Sequence, residues 1–438
     1  MMILIVVVVL ALLIVLITVV KMHPFIAFLI ASIAAAFLLQ LSPDVIGKTI
    51  EKGVGSILGP VFTVIVLGSM LGKIIASSGA AQRISESLVS LFGTSKIAWA
   101  LALTGFIVGI PLFYNVGLIL LLPLIYSLGQ RYQIPLIYMA CAICSSLSVT
   151  HGFLPPHPSP TAIVPLMHAD MGKTLIFGLI ASIPVIVVAG PMFAKSVRHI
   201  PASPLKSLQV KIFEERDLPS TGLSFFTALL PVVLLTLGTW LNSAVANTSR
   251  YYPYTGMIKD ANIVMLICLL VAYYFLGMKR GRSLKELMAE GIDASKDVFS
   301  ILMIIAGAGV LKEVFTTAGI SDKIGEIVKH STLSPLIMGW FIAAVIRLSL
   351  GSATVAGLTA AGLIAPGIDP NVVNPNLMVI AIGAGSLMFS HVNDTGFWMF
   401  KEYFNLSVKD TIRSWSLMEA VVSFVGIGVV LLLSLVVH

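Results

Sequence analysis

Apolar runs long enough to cross a bilayer are the feature that most restricts this chain. Met2–Val20, Phe25–Leu41, Ile57–Ala76, Leu175–Ala194, Phe225–Leu241, Ile263–Gly277 and Val298–Phe315 mostly approach the roughly 20 residues that a helix needs to span hydrocarbon. Lipid offers no partner to a free N–H or carbonyl, so such a segment crosses as a helix, and the alternation of a barrel strand is absent. Of 438 residues, 58% are apolar and 11% charged, against about 25% charged in soluble chains. An all-α polytopic membrane protein is expected. The first twenty residues lack a basic start and a small-residue cleavage site, so they read as a retained span. The net charge of +7 is spread over short loops, which argues against nucleic acid as a partner. Cys141, Cys144 and Cys268 lie in apolar segments, where a disulfide framework is not expected; the C-x-x-C reads as small residues in a packed helix.

A weak internal repeat organises the chain. "LGKIIASSGAAQRI" (71–84) matches "LKEVFTTAGISDKI" (311–324), and the same spacing places His151 opposite His391. Each half then reads as three spans, a short amphipathic stretch, a re-entrant hairpin, a broken helix and a closing span. About five crossings per half is an odd number, so the halves are expected as inverted repeats, the arrangement of many secondary transporters. The expected units are 1–195, a cytoplasmic linker 196–222, and 223–438. The hairpins are expected at about 97–128 and 335–366, and the helix breaks at about 150–160 and 390–396. Assigning loops with both termini periplasmic puts seventeen Lys and Arg inside against seven outside, which is the favoured bias.

The polar breaks form the candidate site. One charged side chain at the centre of a span costs roughly 2.5–3.5 kcal/mol on insertion scales, yet "FSHVNDTGFWMF" (389–400) directly follows an apolar run. In the first half Pro155, Pro156, Pro158 and Pro160 remove helix donors, so the backbone from His151 to Pro160 is expected to be largely unwound. Half-helix ends present free N–H groups to an anion and carbonyls to a cation. Arg347 is placed to clamp a substrate carboxylate, or else to snorkel to the interface or pair with a neighbouring acid. Asn115, His151, Ser352, Thr354 and Asn393 are the other candidate substrate ligands. Few cations among many neutral donors favour a hydroxylated monocarboxylate over a dicarboxylate. Asp394 is expected to carry a coupling proton, with His391 and His151 tuning or relaying it. The alternative for these residues is a structural network that pins the break, and His157 between prolines reads as structural. His151, His157, His391 and Asp394 could instead be read as metal ligands. No H-E-x-x-H or nucleophile motif accompanies them, so no metal, other cofactor or enzymatic activity is expected.

"FLPPHPSPTAI", "GSATVAG" and "SHVNDTGFWMFKEYFNL" resemble the motifs of the gluconate permease family, the gluconate:proton symporters of the ion transporter superfamily. The resemblance runs essentially end to end, with Ser159 a small departure in "PPHPSP". It implies proton-coupled uptake of a sugar acid such as gluconate across a bacterial inner membrane, by a homodimer working as an elevator. Relatives carry fructuronate, idonate, glycerate or D-serine, and some superfamily members couple to sodium, so substrate and ion stay open.

Overall fold

The computed structural model describes residues 2–205, 213–246, 248–320, 333–365, 368–369, 372–392 and 394–437. Its first part contains α1 (Met2–Thr18), α2 (Pro24–Leu38), α3 (Pro43–Ser77), α4 (Ala80–Phe92), α5 (Ile97–Gly109), α6 (Tyr114–Tyr132), α7 (Leu136–Phe153), α8 (Pro158–Leu166) and α9 (Met171–Val197). The second contains α10 (Thr221–Ala244), α11 (Tyr252–Lys259), α12 (Ala261–Arg280), α13 (Leu284–Thr317), α14 (Pro335–Leu350), α15 (Ala353–Ile364), α16 (Pro375–Ser386), α17 (Thr395–Tyr403) and α18 (Val408–Ser434).

Among the described residues, seven helical stretches are long and apolar enough to cross a membrane, or eight if α4 and Thr94–Gly109, bent by 108°, form one span. Five further apolar helical stretches have only 10–17 residues. Length alone therefore gives fewer crossings than five per half, because the breaks divide several apolar runs. The long helices α3 and α13 start at Pro43 and Leu284, well before the apolar runs at Ile57 and Val298. At α13 the start is fixed by a capping box, in which Ser283 and Glu286 satisfy each other's backbone N–H. Hydropathy registers the lipid-facing portion of such a helix and not its charged first turns.

α3 and α13 pack along each other, with α2 against α13 and α12 against α3. The broken helices lie innermost. In Leu136–Leu166, 83% of the most apolar stretch is buried, against 39–44% in α3, α9, α10, α12 and α18. This placement answers a physical requirement: interrupted backbone at membrane depth is tolerated only where protein or water surrounds it. α7 and α16 cross at Gly152 and Gly383, where a Cβ on Gly383 would come within 2.2 Å of the Gly152 carbonyl oxygen.

The helices break at 110–113, 154–157, 351–352 and 387–394. The second is narrower than the unwound span His151–Pro160 read from the prolines. His151 to Phe153 stay helical in α7, and Pro158 opens α8 at its first position, where a missing N–H costs no hydrogen bond.

The linker is anchored at both ends. Ser203 N donates to Phe404 O at 3.1 Å and Asn405 Nδ2 to Ser203 Oγ at 3.0 Å. Beyond the segment 206–212, which lies outside the described residues, Gln82 exchanges two 3.0 Å bonds with the Phe213 backbone, and Arg83 pairs with Glu215 at 2.6 Å.

Candidate functional site

α14 ends one turn after Arg347. Gly351 closes it with φ of +75°, a left-handed turn that a side chain would strain. Ser352 then caps α15, its Oγ accepting from Val355 N at 3.4 Å. Across from this turn, Asp394 caps α17, with Oδ1 accepting from Gly396 N at 3.1 Å. Its other oxygen, Oδ2, accepts from Arg347 Nη2 and from Ser390 Oγ. Trp415 Nε1 donates to Ser390 Oγ at 2.8 Å, and Ser416 Oγ donates to the Ser390 carbonyl. The Trp415 ring stacks on Phe400 at 5.4 Å and tilts against Tyr114 at 5.5 Å.

These groups surround a cavity of about 450 Å³, within the range of small-molecule sites. Its wall includes Tyr114 and Asn115 from α6, Ser352 and Thr354 at α15, Asp394 and Thr395 at α17, with Ser148, His151, Arg347, Trp415 and Glu419. Three helix N-termini, those of α6, α15 and α17, thus open on one space. Free N–H groups at such ends favour an anion. Arg347 is 4% exposed, and its Nε and Nη1 have no hydrogen-bond partner among the described residues. One nitrogen of Arg347 is thus engaged by a neighbouring acid, and two donors are uncommitted among the described residues.

Of the residues singled out from sequence, Asn115, His151, Arg347, Ser352, Thr354 and Asp394 share this wall. Asn393 lies outside the described residues. His391 is not on the wall; its Nε2 contacts the Leu348 carbonyl at 3.0 Å, tying the break to the last turn of α14. A relay between His391 and His151 is therefore not laid out along the cavity. His157 is buried with Nε2 2.7 Å from Gly109 O, a backbone tie that fits its structural reading, and its ring meets His151 edge-on at 5.6 Å. Asp394 is bonded by Arg347, Ser390 and its own helix cap, a surrounding that holds a carboxylate in place. Glu419 and Ser148 went unread in the sequence. The signal was present, since Glu419 is the one acid in the apolar run 417–434. Among the described residues, no group of three or more His, Cys, Asp or Glu is placed to hold a metal.

A polytopic helical bundle with interrupted helices around a buried polar cavity is the architecture of a membrane permease. A model of the GntP family permeases matches residues 1–436, and the chain belongs to that family; it is a transporter and not an enzyme. It is 42% identical to a high-affinity gluconate transporter of Escherichia coli K12, with 95% of each chain covered. It is 41% identical to the gluconate permease of Bacillus subtilis, covering 95% and 96%, and 38% identical to the Gnt-II system L-idonate transporter of E. coli, covering 95% of each. The fold resembles the Alcanivorax borkumensis YdaH transporter, with a TM-score of 0.67 at 13% identity over 94% of this chain and 98% of that one.

Proposed function

We propose that this permease imports gluconate, or a sugar acid close to it, together with a proton across a bacterial inner membrane. The observation that carries the reading is Arg347: a buried guanidinium with two uncommitted donors, at the meeting of three helix N-termini in a cavity lined by hydroxyl and amide groups. A carboxylate accepts charge-assisted hydrogen bonds from the free guanidinium nitrogens, and the hydroxyls of the sugar chain meet Asn115, Ser352, Thr354 and, from the sequence, Asn393. The free donors of this one arginine can receive one carboxylate, and among the described residues the cavity wall offers no second Lys or Arg for another. Relatives named for gluconate and L-idonate support the same substrate class. The two halves are read as inverted repeats, with the linker cytoplasmic, both termini periplasmic, and the working unit a homodimer.

The test is uptake of labelled gluconate into liposomes holding the purified full chain. A pH gradient, acid outside the entry face, should drive accumulation, and idonate should compete better than succinate or citrate. Stronger competition by a dicarboxylate would refute the substrate reading, and accumulation driven by sodium but not by pH would refute the coupling.

A further inference from the structure

The carboxyl group that the cavity leaves least committed is not Asp394. Glu419, on α18, is 1% exposed and lies on the cavity wall. Ser148 Oγ on α7 donates to its Oε2 at 2.8 Å, and Oε1 has no partner among the described residues. No basic group is among its ion-pair partners in the described residues, whereas Asp394 is bonded directly by Arg347.

We propose that Glu419 is the proton-binding group of the transport cycle, and that it couples proton to substrate by setting the charge of the cavity. This rests on the symport reading above and deepens it. Arg347 and Asp394 neutralise each other. With Glu419 ionised, the space they face carries one uncompensated negative charge and repels an incoming carboxylate. With Oε1 protonated that charge is gone, and the three helix ends and the free Arg347 donors face the substrate without opposition. The step balances simply: Glu419 carboxylate takes one proton from water on the entry side, the acid and the monoanion cross together, and the proton leaves to water on the exit side. Each favours the binding of the other by the same factor, as linkage requires.

The other titratable groups around Glu419 are accounted for by element. α6 contributes Tyr114, and α7 contributes Cys144 and His151; Arg347 comes from α14 and Asp394 from the break before α17. α16 carries no titratable side chain, Lys173 and Lys195 lie near the two ends of α9, and Arg413, in the first turns of α18, is exposed.

The experiment measures gluconate binding and exchange against pH in the full chain, wild type beside Glu419→Gln. In the wild type, affinity should fall about tenfold per pH unit above a midpoint. In Glu419→Gln that dependence should flatten, and accumulation driven by a pH gradient should drop at least about tenfold while exchange stays measurable. Retained pH-driven accumulation in Glu419→Gln would overturn the proposal, as would loss of the pH step in Asp394→Asn or His151→Gln with its retention in Glu419→Gln. If Glu419→Gln does not fold, Ser148→Ala serves: it removes the donor to Oε2 and should move the midpoint by about one unit, and an unmoved midpoint counts against Glu419. A wild type that binds gluconate with no pH dependence would refute symport itself, which is a different result from any of these.

Discussion

Arg347 and Asp394, 47 residues apart in sequence, join two helix breaks. The arginine sits in the last turn of α14 and the aspartate caps α17, so their bond holds the two breaks in register at the cavity wall. Replacing either partner alone leaves the other buried without its charge, at a cost of about 3–5 kcal/mol. Asp394→Ala, which also removes the α17 cap, should therefore lower thermal stability much more than Asp394→Asn, which keeps an acceptor for Gly396. Equal melting temperatures for the two variants would show that the cap adds little, and a wild-type melting temperature in Asp394→Asn would show that the pair does not hold the breaks together.

Arg347→Lys keeps the charge but replaces the planar fork by a single ammonium group. Retention of the Asp394 bond would leave no counterpart of the two free guanidinium donors. Substrate affinity should weaken by about tenfold or more, with a smaller change in stability. Unchanged affinity would place the substrate carboxylate elsewhere.

Gly383→Ala places a methyl group about 2.2 Å from the Gly152 carbonyl oxygen. Two backbones cannot move apart there without disturbing both broken helices, so a loss of about 1–3 kcal/mol is expected. Thermal unfolding in detergent measures it. A neutral result would mean that α7 and α16 separate freely at this crossing.

Three cysteines are present and all are buried, which leaves a quiet background for labelling. Glu214→Cys, in the exposed part of the linker, should resist a membrane-impermeant thiol reagent added outside intact cells and react once the membrane is opened. Ready labelling from outside would overturn the expected orientation.

The membrane class and part of the cavity wall could be read from sequence because both rest on cost. Apolar length is needed to cross, and Arg347 and Asp394 are too expensive in a span to be incidental. The repeat places His151 and His391 at equivalent positions, but equivalence does not bring residues to one surface: His151 lines the cavity and His391 is tied to the Leu348 carbonyl. The helix is interrupted at 154–157, a shorter stretch than the prolines alone suggest, since Pro158 starts a helix as readily as it ends one. Glu419 was passed over because no Gly or Pro stands within five residues of it to mark a break in the helix. Its importance comes from Ser148, 271 positions away in the chain, a proximity that no local pattern encodes.

The linker anchors also limit how far parts of the molecule travel. Leu205 and Phe213 are separated by eight residue steps, at most about 28 Å when fully extended. One side of this leash is bonded to Tyr126 and Asn405, near the ends of α6 and α17, and the other to Gln82 and Arg83 on α4. While those bonds hold, no rearrangement in the transport cycle separates the two anchorages by more than that length. Shortening the segment residue by residue would turn the leash into a ruler of the stroke.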